Sequence, residues 1–187
     1  MTVIPHPDDW IEEILQFWFK EIAPEAWFRK DEDFDTRLRQ RFLARHEHVA
    51  ELPIADCVRD GECASAAVIA LDQFPRNMFR GTARAFATDA KARAIADRAI
   101  ANGFEAALSK EERSFLYLPY QHAEDAASQA RCVELVASLK DAELTRWAVA
   151  HKDIIDRFGR FPHRNAVLGR ISTAEEIAFL AQPDSSF

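Results

Sequence analysis

Apolar positions recur at three- and four-residue spacing along nearly the whole chain, and capping and breaking residues between them mark where helices should start and stop. Ile11, Ile14, Leu15 and Trp18 share one stripe, with Asp8 or Asp9 as cap and Glu12 and Glu13 at the positive end. Pro24 marks the turn that follows. Phe34, Leu38 and Phe42, four apart, predict a second helix over 33–50, closed by Pro53. The small, apolar stretch from Cys63 to Phe74 reads as a helix packed on most sides and ended by Pro75. Thr88-Asp89 opens another that reaches the stop Asn102-Gly103. Ser109 and Glu112 form a capping box for a segment in which Pro119 must force a kink or break. Helices over 123–140 and 142–158 follow, the second ended by Gly159. Overlapping boxes, Ser172/Glu175 and Thr173/Glu176, start a last helix through Leu180, and 181–187 read as a loose tail. No run alternates with period two. The pattern therefore predicts an all-α fold of about eight helices in an antiparallel array, as one domain over 1–187.

Composition narrows the function more than the fold. The formal charge of -7 provides no general positive field for a nucleic-acid backbone. Apolar runs fall short of the ~20 residues that span a bilayer, so neither nucleic acid nor membrane is an expected partner. Cys57, Cys63 and Cys132 are an odd set without Cys-x-x-Cys spacing, which suits a reducing compartment. Met1 to Lys20 carries acids and no basic leader, so the expected location is the cytoplasm.

One short pattern occurs twice. Phe74-Pro75-Arg76-Asn77 leads to Gly81, and Phe161-Pro162-His163-Arg164-Asn165 leads to Gly169. Arginine and asparagine just after a proline stand where guanidinium, amide and unpaired backbone N–H donors can converge on an acid. That acid can belong to a ligand or to the protein. Asp72 lies one helical turn before Arg76. Arg80 and Arg84 crowd the first element, while Arg157, Arg160 and Arg170 crowd the second. Two such groups meeting would repel unless acids or an anionic ligand intervened.

Other candidates surround this echo. His151 stands in an apolar stripe of Leu144, Trp147, Ala148, Ile154, Ile155 and Phe158, either as a paired core histidine or as part of a polar pocket. After Pro119, a restarting helix would place His122 and Asp125 three apart on one face, with Glu124 pointing elsewhere. Such a pair either favours a helix start or moves a proton. A metal held by His122, Asp125, His151 and His163 has no preset spacing to support it, and neither metal nor cofactor is expected.

The strings Leu71-Asp72-Gln73-Phe74-Pro75-Arg76-Asn77, Phe115-Leu116-Tyr117-Leu118-Pro119 and Phe158-Gly159-Arg160-Phe161-Pro162-His163-Arg164-Asn165 resemble a bacterial family, domain-of-unknown-function family nine-two-four. Phe17-Trp18-Phe19, Trp27-Phe28 and Phe34-Asp35 are similar to its opening. The resemblance covers nearly the whole chain. It implies an all-helical fold similar to tetratricopeptide-like superhelices and implies no established activity. Where the family usually has His-Ser-Glu, this chain has His122-Ala123-Glu124, which removes a hydroxyl.

Three functions compete on these residues. One is a pocket for a small anionic or phosphate-bearing ligand, lined by Asp72, Arg76, Asn77, Arg80, His122, Glu124, Asp125, His151, Arg160, His163, Arg164 and Asn165, with acid–base catalysis within its chemistry. Another is a tetratricopeptide-like scaffold for a peptide or protein partner. The third makes the polar cluster a set of internal ion pairs.

Overall fold

The computed structural model of the protein describes residues 9–183 and 185, and all regular structure in them is helical. Helix α1 (Asp9–Gln16) continues through a π turn, Phe17–Glu21. Then come α2 (Glu32–Glu51) and α3 (Gly61–Val68), the latter running through a second π turn (Ile69–Gln73) into α4 (Phe74–Met78). The rest are α5 (Asp89–Ala101), α6 (Lys110–Gln121), α7 (Ala126–Ser138), α8 (Ala142–Phe158) and α9 (Ala174–Leu180). With α3 and α4 counted as one interrupted rod, the described residues form eight rods, 3-10 turns lie in five of the seven connections, and the fold is all-α as the periodicity predicts. No described helix is long and apolar enough to cross a membrane.

The chain gathers into two compact units. The first runs to Arg80 and takes in Arg84–Pro119; the second holds Gly81–Ala83 and everything from Tyr120 onward. In the first, α1 and α5 pack on α3, and α2 packs on α4. Trp10, Ile14 and Trp18 carry the buried edge of α1, whereas Ile11 and Leu15 are only half-buried. Trp18, Phe74 and Phe115 meet edge to face or tilted, with centroids 5.6–5.7 Å apart. In the second unit α7 and α8 pack along each other, and Ile154, Ile155 and Phe161 form a core onto which Phe158 and Phe179 close.

Pro53 follows the end of α2 as expected, whereas Pro75, expected to end a helix, and Pro119, expected to kink or break one, are carried inside helices. Pro75 sits at the start of α4, and the rod survives by slipping register. The Phe74 N–H reaches back five residues to the Ile69 carbonyl, not four to Ala70. The Ala70 carbonyl then has no donor at residue 75 either, because that residue is proline. His46 Nδ1 donates to it at 2.9 Å. Pro75 also withholds the N–H that would close on the Leu71 carbonyl, which instead accepts from Thr88 Oγ1 at 2.5 Å. The π turn of α1 repeats the solution: the Ile22 N–H bonds Phe17, and the bypassed Trp18 carbonyl accepts from the Trp27 indole at 2.8 Å.

Pro119 stands inside α6, which ends two residues later. Helix α7 starts at Ala126, not 123. Asp125 is its cap and accepts from the Ser128 N–H, so His122 and Asp125 do not share a helical face. Ser109/Glu112 and Thr173/Glu176 form the expected boxes. Ser172/Glu175 does not: Ser172 Oγ accepts from Asn165, and Glu175 pairs with Arg157. Gly159 stops α8 at φ 69°, a conformation that strains any residue with a Cβ. Asp8, Asp184, Ser186 and Phe187 lie outside the described residues; within the expected tail, Ser185 is buried and its hydroxyl donates to the Leu180 carbonyl.

Candidate functional site

The two Arg-Asn elements fall in different units. In the first, the rod through Pro75 sets Arg76 one turn after Asp72, so the guanidinium lies 3.1 Å from a carboxylate with no solvent exposure. Asp89, the first residue of α5, takes the same guanidinium through two 2.9 Å bonds. Burial works against the charge on Arg76, but Asp72 and Asp89 outweigh it and strengthen its protonation. Gln73 Nε2 donates to the second oxygen of Asp72 at 2.5 Å. Asn77 and Arg80 share one acceptor on α2: Asn77 Nδ2 donates to Asp35 at 2.8 Å, and Arg80 grips the same carboxylate at 2.6 and 3.0 Å. These four candidates thus come together around Asp35 and Asp89. Sequence reasoning placed neither acid in the site, since Asp89 registers only as a helix start and Asp35 as part of a family motif.

In the second unit, the segment between α8 and α9 carries most of the chemistry. Arg160 holds Glu176 through 2.6 and 2.8 Å bonds. Glu176 also bonds Thr173 in the capping box, and these contacts, Arg160 first, bring its carboxyl down to about 2. Arg170 grips Glu124 at 2.6 and 2.9 Å, and the Phe161 N–H donates to the same carboxylate at 2.8 Å. Burial alone would raise the Glu124 pKa; Arg170, the Phe161 N–H and the charge of Arg164 reverse that and hold it below the usual range. Arg164, 6% exposed, donates to the His122 carbonyl at 3.0 Å and lies 4.5 Å over the Phe161 ring. Asn165 donates to Ser172 at 3.0 Å, while its buried Oδ1 accepts from no described group. Asn77 lies inside α4, and Asn165 closes the 3-10 turn Pro162–Arg164 with its backbone N–H on the Pro162 carbonyl.

Two histidines meet Phe161, and the third stands beside one of them. His122 and His151 rings lie 6.2 Å apart, His151 and Phe161 5.7 Å, and Phe161 and His163 5.6 Å. His151 is buried. Its Nδ1 lies 2.8 Å from the Trp147 carbonyl, and a carbonyl only accepts, so Nδ1 carries the proton and Nε2 of the neutral ring is an acceptor. Burial first, then the charges of His122, Arg164 and His163, push its pKa down to about 3. His122 is positioned by Gln129, a buried amide on α7 that donates to the Tyr120, Gln121 and Ala123 carbonyls where α6 ends.

Among the described residues, no group of three or more His, Cys, Asp or Glu side chains is arranged to hold a metal ion. A hollow of about 570 Å³ on the second unit, lined by Lys140, Asp141, Thr145 and Arg146, and a cleft of about 430 Å³ on the first include none of the twelve candidates.

The family model described as "Bacterial protein of unknown function (DUF924)" matches residues 14–184. A solved structure of a protein of unknown function from Agrobacterium tumefaciens is 43% identical, with a TM-score of 0.86 over 91% of this chain and 96% of that one. Comparison with curated proteins finds no match. With the family model spanning more than nine-tenths of the chain, the protein belongs to the DUF924 family of bacterial proteins of unknown function.

Proposed function

We propose that the second unit binds a small anion, a phosphate ester or a carboxylate, at the group formed by His122, His151, His163 and Arg164. The observation that carries this reading is the grouping of His151, His163 and the Arg164 guanidinium on the Phe161 ring, with His122 beside His151; burial first, and then these charges, hold His151 neutral. Each proton taken up by His122 or His163 adds to a positive field that Arg164 already supplies, and an anion relieves it. His151 Nε2 would accept a proton from a ligand hydroxyl, which puts acid–base chemistry within the site's reach. Asn165 Oδ1, buried without a donor, offers a second acceptor on the same segment. In this reading Asp72, Arg76, Asn77, Arg80, Glu124 and Arg160 brace the fold through ion pairs and hydrogen bonds within the protein, and Asp125 is a helix cap. The three buried free thiols suit a reducing compartment, and the proposal places the protein in the cytoplasm.

A second reading, a surface for a protein partner, is favoured by exposed apolar side chains around α9, Ile171 at 90% and Ile177 at 60%.

The test is a titration of the whole protein with inorganic phosphate and glycerol phosphate, following imidazole C2–H resonances and the melting temperature. Binding should move the His122 and His163 resonances downfield, raise the melting point by mass action and tighten as pH falls from 7 to 6. Arg164→Gln and His163→Gln should fold and lose all three effects. Unmoved imidazole resonances, or a response that survives both variants, would sink the anion reading.

A further inference from the structure

The cleft of about 430 Å³ on the first unit lies between the end of α1, the loop after it and the first half of α2. Its floor is apolar. Phe17 and Phe34 stack with their planes 10° apart and centroids at 6.3 Å, and Ile22 and Leu38 complete the surface. Three arginines stand around it, and two are committed. Arg41 grips Glu21 at 2.6 and 3.1 Å and lies 4.9 Å over the Phe17 ring. Arg29 pairs with Asp31 at 3.0 Å, while the other Asp31 oxygen caps α2 by accepting the Phe34 N–H. Arg37 faces the same cleft, is exposed, and pairs with no carboxylate among the described residues.

We propose that this cleft binds a hydrophobic monocarboxylate, an aromatic or branched aliphatic acid, with its chain on the Phe17–Phe34 floor and its carboxylate on Arg37. Three guanidiniums and two carboxylates line the cleft; behind them Glu13 lies 3.9 Å from Arg41 and is itself held by Arg45 at 2.8 Å, so one positive charge is left over, which matches a monoanion. Glu21 and Asp31 flank that position and would repel a dianion such as a phosphate ester, so this ligand differs in class from that of the histidine group. The volume suits a ligand of this size, and an apolar wall with one convergent cation is the usual composition of such pockets. Guanidinium is the side chain best shaped to take both carboxylate oxygens. The inference is independent of the histidine site in the second unit.

The probe is 3-phenylpropionate, titrated calorimetrically into the full chain beside its neutral analogue 3-phenylpropanamide. The acid should bind at least about tenfold more tightly than the amide, the ratio a charge-assisted bond provides. Arg37→Gln, at an exposed position with no partner to lose, should weaken the acid about tenfold and leave the amide unchanged. Arg39→Gln, a neighbouring arginine that stacks on Phe79 outside the cleft, should change neither. Inorganic phosphate should not compete. Equal affinity for acid and amide in the unmodified protein, no heat from either at about 10 mM, or full acid affinity in Arg37→Gln would each overturn the proposal.

Discussion

In the first unit Pro75 interrupts a rod that carries on, and Arg76 turns back one helical turn to a buried acid. In the second, Pro162 opens an isolated turn, and Arg164 lies on an aromatic ring and a backbone carbonyl. The two strings differ by the inserted His163 and by what precedes them. Four residues before Arg76 stands Asp72; four before Arg164 stands Arg160. A helix upstream of the first proline delivers a carboxylate at the spacing an i,i+4 pair needs. Upstream of the second, Gly159 has already ended α8, and the residue at that spacing is another cation, which finds Glu176 instead. An arginine-asparagine pair after a proline therefore turns to a buried acid, or to a carbonyl and an aromatic ring, according to its neighbours.

The comparison breaks most visibly at the arginines. Arg76→Ala takes the guanidinium away from Asp72, fully buried, and from Asp89, and should cost about 3–5 kcal/mol in urea unfolding. Arg164→Ala removes no bidentate grip on a buried acid of the Arg76 kind; it loses the bond to the His122 carbonyl and the contact with the Phe161 ring among its interactions, and should cost less, about 1–2 kcal/mol. Equal losses would mean that Arg164 is a structural brace of the same kind.

The histidine group sharpens the contrast through pH. His151 titrates at about 3 in the folded protein against an ordinary 6.5, so below 6.5 the unfolded chain binds a proton that the folded one refuses. Stability is complete above 6.5 and falls as pH drops toward 3, by about 1.4 kcal/mol per pH unit, or about 2 kcal/mol at pH 5. In His151→Gln that part of the slope should vanish while the loss near Glu176's range, below pH 4.5, remains. An unchanged slope between pH 7 and 5 would assign the titration to other groups.

Much of this was legible in the sequence. Ser109/Glu112, Thr173/Glu176 and Gly159 act by local rules, and each operates in the structure as its spacing requires. The twelve site candidates also include the residues that cluster, because arginine, histidine and asparagine are rarely grouped without partners. What escaped were the partners and the detours. Asp35 and Asp89 lie 42 and 13 positions from the groups they hold, and no local rule links them. Pro75 reads as a helix end because a proline lacks its N–H and crowds the preceding turn. A π turn with donors from His46 and Thr88 lets the rod through Pro75 continue, and both donors come from distant segments. Ser172 failed as a cap for a similar reason: Asn165 claims its hydroxyl.

Those substitute donors can be tested directly, at a smaller scale. Thr88→Val keeps the shape of the side chain and removes the hydroxyl from the Leu71 carbonyl, which should cost about 1–2 kcal/mol because a buried acceptor loses its donor. Pro75→Ala restores an N–H at the residue that would normally serve that carbonyl, at the expense of some packing. If the proline is the reason the hydroxyl is needed, the two changes are not independent. Thr88→Val should then cost about 1 kcal/mol less in the Pro75→Ala background than alone, measured as a double-mutant cycle. Strict additivity would mean that the alanine backbone leaves the Leu71 carbonyl where it was, still waiting for Thr88. The π turn would then be imposed by packing around Phe74 and not by the missing N–H.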